Sequence, residues 1–182
     1  MRNPLSQKIL FLKVKNQDSE AFGQFYDLYV TRIYRFIFFR VNSISDAQDI
    51  TSEVFLKLWQ CVKNGREIRN LNAFIYTIAR NSVIDFYRQS RKPEEQIADE
   101  HSHIPDEQRD ILRQQIMDSQ LSDVLKGLEN LKDEYKEAII LKYLDELSIS
   151  EIADILGRSK GAVRVLLHRA IKALKENIDT IN

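Results

Sequence analysis

The stretch from Leu147 to Leu174 constrains this chain most, because it predicts two helices joined by a tight turn. Ser148 and Glu151 have the S-x-x-E spacing of a capping box, in which each residue satisfies a free backbone N–H group of the other. Gly157 follows the first helix, where a left-handed residue commonly ends it. Ser159 can cap the second helix. Apolar residues then recur on one face of that helix at Val163, Leu167, Ala170 and Leu174. This pattern predicts a helix-turn-helix.

The second predicted helix is strongly basic. Residues 158–175 contain no acidic residue, and their basic residues are Arg158, Lys160, Arg164, Arg169, Lys172 and Lys175. The structural alternative is a helical hairpin whose basic face is merely solvated, but such a face usually carries both signs of charge. The pattern therefore favours a helix that enters the major groove of DNA.

Charge is distributed unevenly along the 182 residues, although the chain is neutral overall. Residues 1–92 hold 15 Lys and Arg against 8 Asp and Glu, residues 93–110 hold 1 against 7, and residues 111–182 hold 11 against 12. The acidic stretch follows Lys92-Pro93 and has no usable apolar period, so we predict a flexible linker. The predicted fold is all-α, with an N-terminal helical domain over residues 1–92, the acidic linker over 93–115 and a helix-turn-helix domain over 116–182.

Helical periods in residues 1–92 predict a core of large side chains. A helix capped by Asp18 carries an aromatic stripe, with a bend expected near Val30-Thr31. The next helix is predicted to begin at Ser45 and to turn its apolar residues inward, which leaves a polar side interrupted by Leu56. An ordinary solvated face and a partner-binding surface both fit that polar side.

The last predicted helix of this domain runs from Leu71 to about Arg91 and follows a basic loop over residues 63–70. One face of it carries Tyr76, Arg80, Tyr87 and Arg91. Interleaved aromatic and basic side chains can stack unpaired bases while holding the nucleic-acid backbone. A surface helix with an Asp85–Arg88 ion pair fits the same sequence. Spacing alone leaves both interpretations open.

Nothing in the sequence predicts catalysis, a cofactor or a metal site. Gly-rich phosphate loops, Cys and His at metal-binding spacing and nucleophile elbows do not occur. An enzyme built on His101 and His103 is the remote alternative, because a flexible acidic linker is a poor metal cage. The lone Cys61 has no intrachain disulfide partner, and no stretch approaches the roughly 18 apolar residues of a membrane span. We therefore expect a cytoplasmic protein that is neither an enzyme nor inserted in a membrane.

Three runs of sequence carry a resemblance to a known family. They are DAQDITSEVFLKLWQ (residues 46–60), LNAFIYTIARNSVIDFYRQSRK (71–92) and LKDEYKEAIILKYLDELSISEIADILGRSKGAVRVLLHRAIKAL (131–174). In that order they resemble the core-polymerase-binding helix, the promoter-melting helix and the promoter-distal helix-turn-helix of the extracytoplasmic-function (group IV) sigma factors of the sigma-70 family. The resemblance implies a factor that binds core RNA polymerase, directs it to specific promoters and promotes strand opening for transcription initiation.

The resemblance also implies roles for individual residues. The face toward core polymerase would comprise Gln48, Asp49, Glu53, Leu56 and Lys57. The minus-ten element, including a flipped base, would be bound by Arg66, Arg69, Asn70, Ile78, Arg80, Asn81, Arg88 and Arg91. The minus-thirty-five duplex would be met by Arg158, Ser159, Lys160, Gly161, Arg164, His168 and Arg169. Family members often carry Thr in place of Ala162 and Ser-Arg in place of Val165-Leu166, so fewer hydrogen-bonding groups are expected on this recognition helix.

The implied partners are core RNA polymerase and promoter DNA, both duplex and single-stranded. Many relatives also have an anti-sigma factor, which can itself be membrane-bound. The alternative is a stand-alone helix-turn-helix transcriptional regulator of the response-regulator type. Such a protein normally begins with a β/α receiver domain, whereas residues 1–92 show no strand alternation. This difference favours the sigma-factor interpretation.

Overall fold

The computed structural model describes residues 4–41, 43–90, 128 and 130–181. The chain divides into two compact units, Met1–Glu100 and His101–Asn182. Every element in the described part is a helix, which confirms the all-α prediction. The predicted linker over residues 93–115 lies outside the described residues, as does Arg91, so the exact domain boundaries stay a prediction.

The described part of the N-terminal unit contains α1 (Pro4–Lys15), α2 (Ser19–Phe38), α3 (Ile44–Lys63) and α4 (Leu71–Ser90). Asp18 caps α2 as predicted, since its carboxylate accepts the Ala21 N–H at 3.0 Å. The start of α3 differs from the prediction at Ser45. Ser43 has the extended backbone of an N-cap, and its hydroxyl accepts the Asp46 N–H at 3.2 Å.

Aromatic and β-branched side chains fill the core of this unit. α2 continues unbroken through Val30-Thr31, where the sequence predicted a bend, and it buries Phe25, Ile33 and Phe36 completely. Phe25 stacks on Tyr29 with ring centroids 4.3 Å apart. Buried rings of this kind remove roughly 150–250 Å² each from water. The predicted aromatic core is confirmed.

The described part of the C-terminal unit contains α5 (Asp133–Ile139), a π-helical turn (Ile140–Leu144), α6 (Ile149–Leu156) and α7 (Lys160–Ile181). Both α5 and α6 pack against α7. The predicted helix-turn-helix consists of α6, α7 and the turn between them.

Local capping fixes the start of α6 and the turn between α6 and α7. Ser148 Oγ accepts the Glu151 N–H at 3.2 Å, and Glu151 Oε2 accepts the Ser148 N–H at 2.9 Å, which completes the predicted capping box. Gly157 follows α6 in the left-handed conformation, with φ of 62°. Ser159 Oγ accepts the Ala162 N–H at 3.2 Å and caps α7. All three sequence predictions are confirmed.

The π-helical turn changes which side chains are buried after α5. The Asp145 N–H donates to the Ile140 carbonyl, five residues back, at 3.0 Å. The extra residue shifts the side-chain phase, so Leu141 is buried whereas Tyr143 is 53% exposed. The apolar period of the sequence does not predict this change of phase.

Gly157→Ala is expected to lower the free energy of unfolding by about 1 kcal/mol, because an L side chain is strained at a φ of 62°. A Cβ built at Gly157 meets no atom within 4 Å, so the cost is conformational rather than steric. The matched control is Gly23→Ala inside α2, where the Cβ position is equally open. There alanine is expected to add about 0.5–1 kcal/mol of stability. Urea unfolding of the full chain measures both changes, and shifts of the same sign would contradict this explanation.

Candidate nucleic-acid and partner interfaces

α7 presents an exposed basic face. Its exposed side chains include Lys160, Arg164, His168 and Arg169, whereas Val163, Leu167 and Ala170 are buried. Gly161 is also exposed, in the first turn of the helix. Positive charge along one helix face suits both the phosphate backbone and the base edges of duplex DNA.

The inner side of α7 is wider than the sequence predicted, because it includes Leu166. Leu166 is 5% exposed, whereas its neighbour Val165 is 51% exposed. The apolar residue at position 166 therefore packs in the core of the unit. Of the three positions that depart from the pattern the resemblance implies, Ala162 and Val165 lie on the exposed face, whereas Leu166 does not.

Two residues of the turn are already engaged within the unit. Arg158 Nη2 lies 2.9 Å from Glu134 Oε2 in the first turn of α5, and the two side chains are 43% and 47% exposed. Ser159 is the cap of α7. A partly exposed ion pair is worth about 0–1 kcal/mol, so a DNA phosphate can replace Glu134 as the partner of Arg158 at small cost.

α4 exposes a stripe at Asn81, Ile84 and Arg88. Arg88 Nη2 lies 3.1 Å from Asp85 Oδ1, which confirms the ion pair that the sequence suggested. The Arg88 side chain is 78% exposed despite this pair. Arg80 is half-buried, and Ile78 is 9% exposed.

Of the two interpretations that the sequence left open for α4, base stacking does not apply to Tyr76. Tyr76 is fully buried and lies edge to face against Phe36, with ring centroids 5.4 Å apart. α4 packs on both α2 and α3, so its buried arc is wide enough to include Ile75 and Tyr76 together. The Tyr87 hydroxyl donates to the Arg40 carbonyl beyond the end of α2. The Tyr76 ring is therefore not available to stack a base, whereas the Tyr87 ring is half-buried.

The loop between α3 and α4 is held by contacts with α4. The Arg66 guanidinium carbon lies 5.1 Å from the centre of the Phe74 ring. Asn70 Oδ1 accepts the Ala73 N–H at 3.1 Å and thereby caps α4. Arg69 points outward, with its side chain 92% exposed. The loop thus combines a fixed backbone with exposed positive charge.

The junction of α1 and α2 holds both ends of this loop, and sequence reasoning missed it. Gln17 Nε2 donates to the Lys63 carbonyl at 3.3 Å, and Lys15 Nζ donates to the Arg69 carbonyl at 3.5 Å. Gln17 has a left-handed φ of 65°. The bonded residues are 46 and 54 positions apart in the sequence, so the local patterns of a helix or turn could not predict these bonds.

α3 turns a mixed polar and apolar side outward. Gln48, Asp49, Glu53 and Leu56 are exposed, and the exposed fraction of Leu56 is 62%. On the neighbouring α2, Tyr26 is 41% exposed and lies 4.7 Å from Phe55, measured between ring centroids. Large apolar side chains among charged ones at a surface are suited to protein binding.

Lys57 is oriented differently from the other α3 residues that the resemblance assigned to the polymerase-binding face. Its Nζ lies 2.8 Å from Glu53 Oε1 and donates to Ser82 Oγ on α4 at 3.1 Å. Ser82 is 4% exposed. Lys57 therefore links α3 to α4, a contact that the sequence did not reveal.

The described residues contain no group of three or more His, Cys, Asp or Glu that could hold a metal ion. Within the same residues, no helix is long and apolar enough to cross a membrane. His101 and His103 lie outside them, and Cys61 is a partly exposed free thiol.

Two family models match the chain. The model described as sigma-70 region 2 matches residues 25–92, and the one described as sigma-70 region 4 matches residues 121–174. The first match includes α3, the following loop and α4. The second includes the helix-turn-helix.

Curated relatives match over most of the chain. The ECF RNA polymerase sigma factor BldN of Streptomyces coelicolor is 31% identical over 161 residues, which cover 86% of this chain and 60% of BldN. The ECF RNA polymerase sigma factor SigW of Bacillus subtilis is 30% identical over 177 residues, which cover 91% of this chain and 93% of SigW. The chain thus spans three fifths of BldN but nearly all of SigW.

Two solved structures share the fold. CnrH, solved in complex with the cytosolic domain of CnrY, has a TM-score of 0.71 at 20% identity, over 96% of this chain and 97% of that one. The sigma factor RpoE of Bartonella quintana, solved with the anti-sigma factor NepR, has a TM-score of 0.65 at 26% identity, over 87% of this chain and 96% of that one.

Proposed function

Because this chain belongs to the extracytoplasmic-function sigma factors of the sigma-70 family, we propose that it binds core RNA polymerase, directs it to specific promoters and promotes strand opening. The proposal rests on the occurrence of both sigma-70 regions, in order, in one chain. A stand-alone helix-turn-helix regulator would need only the second region, so this alternative is not favoured.

The C-terminal unit has the chemistry of a duplex reader for the minus-thirty-five element. Arg164 is exposed on α7, and a guanidinium can bind guanine through two hydrogen bonds. Lys160 lies in the first turn of the helix, where an ammonium and free backbone N–H groups both attract a phosphate. Arg158, Ser159, Gly161, His168 and Arg169 complete the proposed surface.

The loop and α4 are proposed to hold the unpaired minus-ten strand. Asn81 offers an exposed amide for a base edge, and the exposed Arg69 and Arg88 offer charge for the strand backbone. Extruding a base costs a few kcal/mol, which a preformed pocket can offset. The bonds that hold both ends of the loop, at Lys63 and Arg69, support such a pocket.

The outer side of α3 is proposed to bind core polymerase. Its exposed Leu56 supplies an apolar anchor, and Gln48, Asp49 and Glu53 supply a polar rim. Once polymerase is bound there, the free energy for strand opening would come from binding of the minus-thirty-five duplex and of the unpaired minus-ten strand. No chemical step is assigned to this chain, and no cofactor is required.

The proposal places the chain in the cytoplasm, where RNA polymerase acts, and adds an anti-sigma factor as a candidate partner. RpoE of Bartonella quintana was solved with the anti-sigma factor NepR, and this chain is 26% identical to RpoE. A partner of this kind would inhibit the chain by covering one of the proposed polymerase or DNA surfaces.

Capture of core RNA polymerase on the tagged full-length chain, followed by transcription from a random promoter library, tests the proposal. We expect polymerase to be retained and one bipartite promoter sequence to be enriched. A chain that binds duplex DNA but retains no polymerase would overturn the proposal in favour of a stand-alone regulator.

Asp49→Ala combined with Leu56→Ala is expected to weaken association with core polymerase roughly tenfold or more, since the loss of interface anchors commonly costs above about 1 kcal/mol. Both side chains are exposed, so the free energy of unfolding should change by less than about 0.5 kcal/mol for each. The matched control combines Leu12→Ala, at a leucine 61% exposed on α1, with Asp154→Ala on α6. Fluorescence titration with core polymerase compares the variants, and equal affinities would refute this assignment of α3.

A further inference from the structure

One lysine connects the two surfaces that the N-terminal unit is proposed to use. Lys57 Nζ lies 2.8 Å from Glu53 Oε1, on the proposed polymerase surface of α3. The same ammonium donates at 3.1 Å to Ser82 Oγ on α4. Ser82 directly follows Asn81, which belongs to the proposed strand-binding surface. The Lys57 side chain therefore connects the proposed polymerase surface on α3 to Ser82, the residue next to Asn81 in the proposed strand-binding surface.

We propose that Lys57 is a positioning residue for promoter opening: its bond to Ser82 fixes the rotation of α4, and so the direction in which Asn81 faces. The inference rests on the proposed function, because it concerns how the strand-binding surface is held. It changes the role that the family resemblance suggested, which was contact with polymerase. The described contacts direct the Lys57 ammonium toward α4.

The surroundings of Ser82 make this bond effective. Ser82 is 4% exposed, and the Lys57 side chain is 40% exposed. A hydrogen bond from a charged donor to a buried hydroxyl is stronger than one in water. An α-helix is a rigid unit in which neighbouring side chains keep a fixed angle of about 100°. Any rotation of α4 at Ser82 therefore turns Asn81 by the same amount.

Glu53 can change partners without loss of this bond. Its side chain is 53% exposed, and an exposed ion pair contributes little to stability. Polymerase that engages Glu53 would compete with Lys57 for the carboxylate and leave the ammonium bonded to Ser82. Polymerase binding and α4 positioning therefore depend on different partners, and a substitution at Ser82 separates them.

Ser82→Ala in the full chain, assembled with saturating core polymerase, tests the inference. We expect unchanged polymerase affinity and roughly three- to tenfold slower strand opening, which corresponds to the loss of one hydrogen bond. Permanganate reactivity of the minus-ten thymines measures the opening rate. Alanine favours helix more than serine does, which offsets much of the lost hydrogen bond, so the melting temperature should change little. A residue with a merely structural role would lower the melting temperature and leave the opening rate of the folded chain unchanged.

Lys57→Met keeps the aliphatic stem and removes the ammonium. Under the same saturating conditions it should slow opening to the extent that Ser82→Ala does, and the double variant should be no slower than either single one, because both remove the same bond. Lys57→Arg retains a donor and should restore most of the rate. Lys8→Met, at an exposed lysine of α1, is the control for the lost charge and should open promoters normally.

Opening at the normal rate in Ser82→Ala would overturn the inference, and so would additive effects in the double variant. These outcomes are distinct from failure of the proposed function. If the unaltered chain retains no polymerase or opens no promoter, the proposed function itself is refuted.

Discussion

Tyr76→Ala is expected to lower the free energy of unfolding of the N-terminal unit by about 3–5 kcal/mol, a typical cost for truncating a buried aromatic side chain. The ring is fully buried and packs edge to face on Phe36. Trp59 is the only tryptophan and lies in this unit, so its fluorescence reports the unfolding of this unit within the full chain. Urea titration of the variant measures the loss.

The size of that loss separates two roles for Tyr76. If the tyrosine stacked bases at the surface, its replacement by alanine would reduce stability little and would greatly weaken the affinity for single-stranded DNA. Tyr26→Ala is the matched control, because Tyr26 is 41% exposed and its main ring contact is with Phe55. We expect it to cost about 0.5–1.5 kcal/mol. Equal losses for Tyr76 and Tyr26 would contradict the core position of Tyr76.

Most of the helix caps that the sequence predicted correctly are completed within one helical turn. The capping box of Ser148 and Glu151, the left-handed Gly157 and the Asp18 cap each involve residues within about four positions. Their physical cause is local, because the free N–H and C=O groups at a helix end must be satisfied by nearby atoms. The helix-turn-helix could therefore be placed from the sequence alone.

The features that the sequence did not predict depend on what packs against a helix. Tyr76 is buried because both α2 and α3 pack against α4. The apolar periodicity of α4 alone does not show that two helices cover it. The π-helical turn changes the direction in which the Tyr143 side chain points, and no residue type in this segment predicts such a turn. Long-range bonds such as those of Lys57 to Ser82 and Gln17 to Lys63 join residues 25 and 46 positions apart.

The two units contrast in how they use their helices. α7 separates its functions by side, with a buried stripe toward the unit and a basic face toward solvent. α3 and α4 also carry their proposed surfaces on the exposed side, but those surfaces belong to two different helices and need a fixed relation between them. This need is the reason we propose a role in opening for the side-chain bond between α3 and α4, whereas most of the proposed duplex-reading surface lies on the single helix α7.

Arg164→Ala is expected to weaken binding of the polymerase complex to the minus-thirty-five duplex by about 1–3 kcal/mol and to relax specificity at one base pair, as for the loss of a two-bond contact to guanine. Arg164 is exposed near the start of α7, where a helix that enters the major groove contacts base edges. Lys172→Ala is the matched control. Lys172 is 73% exposed two turns further along and lies 3.8 Å from Glu176, so its loss should weaken binding slightly and for all sequences alike. Titration with the selected promoter and with single-base variants distinguishes the two residues. If the ratio of affinities for correct and altered sequences is unchanged in Arg164→Ala, Arg164 binds phosphate instead and specificity resides elsewhere on α7.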